Sequence, residues 1–248
     1  MMAAGGSNIG MRKDNEDRYE IKTLTLQDNT VLQMLVIADG MGGHEHGQLA
    51  SRVAVEQFAK LSADALEQGF TLEHMQKLFE RANEKIYAWQ ELLQDGIIGT
   101  TLTAVVVQQD QLYLGHVGDS RCYVYRDDEL IQLSMDHTYY AELMRLGKLA
   151  LAAEEKQKSK LLKALGAEAT VEGQFLTQQL RQNDLLVLCT DGLYNAISIE
   201  EVSEILQDIL HDRYDLTYAV DILLNKALEQ GARDNLTLIL YQHGKTEI

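Results

Sequence analysis

Four aspartates lie next to apolar, strand-like runs, and that placement suits metal chemistry. Asp39, Asp119 and Asp191 each follow such a run, and Asp234 immediately precedes one. If these strands lie in packed sheets, their ends can gather the four carboxylates into one small space. Unscreened, the cluster would repel itself and its pKa values would rise. Hard divalent cations resolve this conflict because Mg²⁺ and Mn²⁺ prefer oxygen ligands, so the sequence predicts more than one metal ion.

The segment that follows Asp39 suits a close approach of the backbone to a ligand. The apolar run over 34–38 stops at this carboxylate, and glycines follow at positions 40, 42 and 43. Glycine allows a tight turn and leaves space beside a bound group. Taken alone, an Asp-Gly pair is more simply a turn. The metal interpretation therefore depends on the other acids.

Arg12, Glu16 and Asp17 form a second group of candidates, just before a strand-like run that begins at Arg18. An arginine five residues ahead of an acid can be an ordinary surface ion pair. The alternative is a guanidinium that grips phosphate oxygens beside ligands of a metal-bound water. Several acids with one arginine favour hydrolysis of a phosphoester by a water that bridges two metals.

The histidines favour no transition-metal site. His44-Glu45-His46 lies where a loop meets a predicted helix, and such closely spaced residues are more often solvated. We expect His116 and His137 to be structural or to support the site from behind.

The predicted elements alternate between strands and helices. Asp28-Asn29 indicates a hairpin turn, and Ser198 to Glu201 forms a capping box. We expect the strands between 100 and 133 to form one antiparallel meander, and 137–166 to be an exposed insertion. Strands are predicted at about 19–27, 31–38, 100–107, 111–117, 121–126, 130–133, 170–177, 185–190 and 236–241, and helices at about 48–66, 72–93, 198–210 and 215–230.

Length and charge limit the classes of function. The chain has 248 residues and a formal charge of −16, which argues against nucleic acid or an anionic membrane surface as the main partner. We expect one domain over 1–248, and no run reaches the length of a membrane span. The first seven residues have no basic region followed by an apolar core, so a cytoplasmic location is expected. Cys122 and Cys189 lie in apolar runs and are predicted to be buried, reduced thiols.

A series of motifs along nearly the whole chain resembles the metal-dependent type 2C protein serine/threonine phosphatases in their compact bacterial form. Each motif alone is weak, whereas their order and spacing together are specific. The motifs are Gly10-Met-Arg-Lys-Asp-Asn-Glu-Asp17, Val36-Ile-Ala-Asp-Gly-Met-Gly-Gly-His44, Gly99-Thr-Thr101, Gly115-His-Val-Gly-Asp-Ser-Arg121, Ser134-Met-Asp-His-Thr138, Leu188-Cys-Thr-Asp-Gly-Leu193 and Gly231-Ala-Arg-Asp-Asn-Leu-Thr237.

The resemblance implies an α+β fold: a four-layer α-β-β-α sandwich of two antiparallel sheets flanked by helices, with a metal centre at one end. In the family pattern the position of Asp39 bridges two metals, Mn²⁺ or Mg²⁺. The carbonyl at the position of Gly40 binds one metal, and the acids at Asp191 and Asp234 bind the other.

The same resemblance implies roles around that centre. Glu16 and Asp17 match residues that hold metal-bound water, and Arg12 matches the arginine that binds phosphate. Asp119, with Asp191, matches a third and weaker metal site. The insertion at 137–166 resembles a flap that shapes substrate entry.

Four positions depart from the family pattern. Met41 stands where many eukaryotic members have a histidine proposed as the general acid, so another group must protonate the leaving group. Asn8 replaces a frequent aspartate, a change that we expect to be neutral for chemistry. Glu155-Lys156 replaces a His-Pro pair common in the flap of relatives.

The sequence therefore predicts a metal-dependent phosphatase that acts on phosphoserine and phosphothreonine of proteins. The expected partners are phosphoproteins, substrates of a bacterial serine/threonine kinase, and the expected state is a monomer in a signalling pathway. One alternative is a non-catalytic, metal-bound module that only binds phosphoproteins. Another is the same centre acting on a small phosphoester.

Overall fold

The computed structural model describes residues 2–42, 45–66, 69–93, 98–154 and 160–244. Within these ranges the chain forms eleven strands and seven α-helices. The strands are β1 (Ala3–Asn8), β2 (Asp17–Thr25), β3 (Val31–Met41), β4 (Gly99–Thr100), β5 (Leu102–Gln108), β6 (Gln111–Val117), β7 (Arg121–Arg126), β8 (Glu129–Gln132), β9 (Gln174–Gln179), β10 (Leu185–Cys189) and β11 (Leu236–Gln242). The helices are α1 (Glu45–Ala59), α2 (Leu72–Leu93), α3 (Tyr139–Arg145), α4 (Leu149–Glu154), α5 (Asp191–Tyr194), α6 (Ile199–Leu210) and α7 (Leu216–Glu229).

The strands form two antiparallel sheets. The first has the order β1-β11-β10-β7-β8, and the second has the order β2-β3-β5-β6-β9, with the short β4 paired to β3. Apolar side chains of both sheets meet in a shared core that includes Leu35, Val105, Leu188 and Ile239. Helices α6 and α7 cover the outer face of the first sheet, and α1 and α2 cover the second. The predicted four-layer sandwich is confirmed.

The central strands are continuous apolar runs because both of their faces are covered. Every residue of β10 and of β11 is buried. A strand with one face in water would alternate apolar and polar residues instead. The candidate acids of these parts of the chain, Asp191 and Asp234, lie just beyond the strand ends.

Strand β1 is an element that the sequence does not predict, because its Ala-Ala-Gly-Gly core has little β-propensity. It pairs with β11 over its full length, so tertiary pairing rather than propensity forms it. Gly6 lies directly beneath α7. A Cβ atom on Gly6 would lie 2.8 Å from Leu224 Cδ1 and 2.9 Å from Val220 Cγ1.

The meander predicted for 100–133 is wrong, because the chain changes sheets in the middle of it. β5 and β6 pair in the second sheet, whereas β7 and β8 belong to the first. The crossing is made by Gly118, Asp119 and Ser120. Gly118 has a φ of +112°, which favours glycine, and a Cβ there would lie 2.5 Å from the Thr101 side chain. The crossing places Asp119 between the sheets.

Several local predictions hold. Helix α2 spans 72–93 as expected, Ser198 and Glu201 form the predicted capping box, and Asn29 adopts the left-handed conformation of a hairpin turn. The first helix ends earlier than predicted, at Ala59. Both cysteines are free and buried. None of the helices within the described ranges is both long and apolar enough to cross a membrane.

The insertion over 137–166 contains the short helices α3 and α4. An isolated bridge between Thr100 and Leu165 connects the insertion to β4. A second bridge, between Thr138 and Leu161, joins two parts of the insertion to each other. Glu155-Lys156 lies outside the described residues. The assignment of 137–166 as a flap within one domain stays a prediction.

The contact between Gly6 and α7 leads to a test of the packing. Gly6→Ala should lower the free energy of unfolding by about 1–3 kcal/mol, because the added methyl group overpacks the β1–α7 contact. Urea denaturation measures the change. Val220→Ala should lower the free energy of unfolding less in the Gly6→Ala background than in the wild type, since it makes room for the methyl group. Equal losses in the two backgrounds would show that the methyl group is not crowded by Val220.

Candidate active site

An open cleft of about 610 Å³ lies at one end of the two sheets. It is lined by residues from both sheets and from the loops that follow their strands. All of the predicted site residues except Asp17 line this cleft. Those that do are Arg12, Glu16, Asp39, Gly40, Asp119, Asp191 and Asp234.

Asp39 is held rigidly by two threonines at the start of the 100–108 segment. Its backbone NH donates to Thr101 Oγ1 at 2.9 Å, and its carbonyl accepts from Thr101 N at 2.9 Å and from Thr100 Oγ1 at 2.8 Å. The hydroxyl residues of Gly99-Thr-Thr101 therefore pack beneath the site. Their hydrogen bonds fix where the end of β3 presents its carboxylate.

Gly40 is a position at which the fold has no room for a side chain. A Cβ there would collide with the backbone carbonyl of Gly47 in α1, and it would lie 2.8 Å from the carbonyl oxygen of Glu16. The NH of Gly40 donates to that same Glu16 oxygen at 3.2 Å. The backbone of Gly40, with no side chain in the way, thus lines the cleft beside Asp39.

Asp191 and Asp234 reach the cleft from two loops that pack directly on each other. Asp191 begins the single turn of α5, and Asp234 precedes β11. A Cβ on Gly192 would collide with the backbone of Asn235. This close contact brings the two carboxylates to the same wall of the cleft.

Asn235 organises the Arg12 loop, a role that the sequence alone did not suggest. Its Oδ1 accepts from Glu16 N at 2.9 Å, and its Nδ2 donates to the carbonyl oxygens of Ile9 at 2.9 Å and Asp14 at 3.0 Å. One amide side chain therefore fixes the loop over 9–16 against the loop that carries Asp234. Its position directly after Asp234 was the available signal.

Asp17 is buried behind Asp39 rather than exposed in the cleft. The two residues are paired across β2 and β3. Asp17 Oδ2 accepts from Thr190 Oγ1 at 2.8 Å, whereas its buried Oδ1 has no hydrogen-bond partner. Burial is the main cause that raises the pKa of Asp17 to about 7, and the nearby charge of Asp191 raises it further.

Three of the carboxylates that line the cleft, those of Asp39, Asp119 and Asp191, have raised pKa values as well. Burial and then repulsion by Asp191 raise the pKa of Asp119 to about 7. Burial and then repulsion by Asp234 raise the pKa of Asp191 to about 6. The pKa of Asp39 lies well above its ordinary value, because burial combines with repulsion by the neighbouring acids. The predicted self-repulsion is therefore present.

Arg12 forms an ion pair at the mouth of the cleft. Its Nη2 lies 2.6 Å from Asp234 Oδ2, and about three fifths of the arginine side chain is exposed. The observed contact is the partly exposed ion pair, one of the two interpretations of this residue. The binding of phosphate by Arg12 stays a prediction.

The oxygen atoms that line the cleft are of the kind that a hard divalent cation binds. Their side chains are, however, not close enough together to surround one ion. Within the described ranges, no three Asp, Glu, His or Cys side chains are close enough to form a ready metal-binding group. The acids nevertheless line one cleft, and Asp17 keeps a buried oxygen without a partner. Carboxylate and carbonyl oxygens are the ligands that Mg²⁺ and Mn²⁺ take.

The histidines lie outside this donor set. His116 and His137 are buried and stacked with ring centroids 5.0 Å apart, and burial lowers their pKa values to about 3 and about 4. His116 Nδ1 lies 2.8 Å from Thr103 Oγ1, and His137 Nδ1 accepts from Gly118 N at 3.1 Å. Their predicted structural role agrees with these contacts. His44 lies outside the described residues.

The sequence profile of the protein phosphatase 2C family matches residues 4–238 of this chain. The chain belongs to that family. A relative, the serine/threonine phosphatase stp of Listeria innocua, is 34% identical over 244 residues, which cover 94% of this chain and 91% of the relative. The predicted family and its bacterial type are confirmed.

Solved structures of the protein phosphatase 2C family have the same fold. The crystal structure of the Mycobacterium tuberculosis serine/threonine phosphatase PstP/Ppp superimposes with a TM-score of 0.83 at 31% identity, covering 97% of each chain. A structure of the PstP catalytic domain in complex with two manganese ions gives a TM-score of 0.81 at 31% identity, covering 97% of this chain and 96% of the other.

The raised pKa values predict how the metal-free phosphatase responds to pH. From about pH 4 to 7 these carboxyl groups bind more protons in the folded state than in the unfolded state, so their contribution to stability should fall as the pH rises. In the Asp119→Asn variant, stability should decrease less steeply as the pH rises. One pKa unit corresponds to about 1.4 kcal/mol, so Asp119 accounts for at most about 4 kcal/mol of this decrease.

Thermal unfolding in EDTA at pH 5, 6 and 7 measures this effect. The difference between wild type and Asp119→Asn cancels the contribution of His116 and His137, whose lowered pKa values act in the opposite direction. Parallel pH profiles for the two proteins would show that Asp119 is not held in a repulsive, buried environment.

Proposed function

We propose that the acidic cleft hydrolyses phosphoserine and phosphothreonine in proteins with the help of two divalent cations, Mn²⁺ or Mg²⁺. The observation that carries this proposal is the gathering of four aspartates and one arginine from distant parts of the chain in a single cleft. When bound, the cations would neutralise phosphate charge and lower the pKa of an attacking water.

We assign the residues that would hold the cations by their match to the family pattern, and all of them line the cleft. Asp39 would contact both cations, with the carbonyl of Gly40 as a further oxygen ligand. Asp191 and Asp234 would hold the second cation. The two manganese ions of the PstP structure support this count. Asp119 with Asp191 would take a third, weaker cation.

Glu16 and Asp17 would support this centre from the side of β2. Glu16 lines the cleft, and its backbone is fixed by Gly40 and Asn235. Asp17 offers a buried, unpartnered Oδ1 directly behind Asp39. A carboxylate oxygen in that position can accept a hydrogen bond from a polar group bound in the cleft.

Arg12 would bind the phosphate oxygens that are not transferred. Its guanidinium is exposed at the cleft and now pairs with Asp234. A phosphate offers two oxygens to the planar guanidinium, so it can replace a carboxylate in this pair. Substrate binding would thereby free Asp234 to face the cation.

The substrate and the setting are parts of the same proposal. Phosphorylated proteins fit an open cleft better than a small ester would, and the kinase that makes them is expected to be a bacterial serine/threonine kinase. The charge of −16 disfavours nucleic acid and anionic membranes. We propose a monomeric, cytoplasmic enzyme of signalling whose catalytic domain is the whole 1–248 chain.

Hydrolysis of a phosphothreonine peptide tests the metal centre. Turnover should require Mn²⁺, and Asp39→Asn or Asp191→Asn should lower kcat by about 100-fold or more, because each removes a negative ligand. Asp221→Asn is the matched control, since Asp221 is exposed on α7. Absence of metal-stimulated turnover would refute the proposal. Tight binding of the peptide without release of phosphate would favour the non-catalytic module.

Arg12→Ala tests phosphate binding separately. KM should rise roughly 10- to 100-fold, since charged hydrogen bonds to the phosphate are lost. Steady-state kinetics on the same peptide measure the change. Arg213→Ala is the control, because Arg213 also forms an exposed ion pair, with Asp208. An unchanged KM would leave Arg12 as a surface ion pair only.

A further inference from the structure

Tyr194 connects the two segments that present Asp119 and Asp191. It is the last residue of α5, the single turn that begins with Asp191. Its hydroxyl donates a hydrogen bond to the backbone carbonyl of Asp119 at 3.1 Å. Asp119 lies on the crossing between the sheets, and Asp191 lies at the end of β10. One side chain therefore sets the spacing between two carboxylates that come from different segments.

Arg121 holds the ring of Tyr194 in place. Its guanidinium carbon lies 3.7 Å from the centroid of that ring, an arrangement that favours cation–π attraction. Arg121 is itself fixed, because its Nη2 donates to Asp136 at 2.7 Å and its Nη1 donates to the hydroxyl of Tyr123 at 3.0 Å. The ring thus has little freedom to swing away from Asp119.

The two carboxylates depend on Tyr194 to different degrees. The start of α5 has backbone anchors of its own, since Thr190 N donates to Thr237 O at 3.0 Å and Asn195 N donates to Asp191 O at 2.9 Å. The carbonyl of Asp119 accepts its side-chain hydrogen bond from Tyr194. The neighbours Gly118 and Ser120 are held by His137 and Thr101, so loss of the hydroxyl would free the carbonyl of Asp119 itself while Asp191 stays in place.

We propose that Tyr194 is a positioning residue that fixes Asp119 relative to Asp191, with Arg121 locking its ring, and that it thereby sets the affinity for the cation these two acids share. This inference rests on the proposed function, since it concerns the weaker cation of the same centre. It adds to that centre two residues that do not bind the cation themselves.

The test is a Mn²⁺ titration of the metal-free, full-length protein, with free Mn²⁺ counted by its electron paramagnetic resonance signal. Tyr194→Phe keeps the ring and removes only the hydroxyl. The weakest Mn²⁺ site of the wild type should bind about two- to tenfold more weakly in this variant, as expected for one lost hydrogen bond. The tighter sites should be unchanged. Tyr218→Phe, on the exposed Tyr218 of α7, is the matched control.

Kinetics separate positioning from a structural fault. The Mn²⁺ concentration for half-maximal activity should rise by the same factor in Tyr194→Phe, and saturating Mn²⁺ should restore kcat. Arg121→Lys, which keeps the charge but loses the planar fork, should shift the weakest site in the same direction.

Three results would overturn the inference. They are coincident Mn²⁺ isotherms of Tyr194→Phe and wild type, coincident isotherms of Asp119→Asn and wild type, and a loss of kcat that saturating Mn²⁺ does not restore. Phosphopeptide hydrolysis by the wild type is measured in a separate assay. Its failure would refute the phosphatase proposal, whereas the isotherms decide the role of Tyr194.

Discussion

The repulsion among buried carboxylates at one end of the sandwich is the constraint on which the rest of the structure depends. Burial raises the pKa values of Asp17, Asp39, Asp119 and Asp191, and their mutual charge raises them further. Such a group costs free energy, so it persists only because the surrounding fold is stable enough to enforce it. Divalent cations and the phosphate they attract are the natural partners of this arrangement.

The fold positions these acids through hydrogen bonds from neutral groups rather than by pairing them with cationic side chains. Asp39 is held through its backbone by Thr100 and Thr101, the Arg12 loop by Asn235, and Asp119 through its carbonyl by Tyr194. None of these contacts uses up a carboxylate oxygen. Other side chains do occupy carboxylate oxygens, since Thr190 donates to Asp17 and Arg12 pairs with Asp234.

The sheet core explains why these contacts can be so precise. The strands that lead into the site are buried on both faces, and their side chains interlock between two layers of helices. Close-packed interiors have low compressibility and resist displacement. The strand ends therefore present their acids at fixed positions, and the insertion over 137–166 is joined to them through the bridge between Thr100 and Leu165.

The sequence by itself determined which residues could do the chemistry and most of the elements that carry them. Acids next to apolar runs, glycines after Asp39 and helix caps such as Ser198 are local signals, because they reflect short-range geometry. The motif order gave the family, and with it the four layers. Periodicity gave α2 and α6 to within a residue or two of their bounds.

Only the tertiary structure decided how those parts meet. β1 forms because β11 offers it a partner, although its glycines have poor β-propensity, and Gly118 sends the chain to the other sheet where a meander was expected. Pairing across β2 and β3 places Asp17 behind Asp39, and contacts over long sequence separations bring Asn235 and Tyr194 into the site. These outcomes depend on packing between distant segments, which local sequence does not encode.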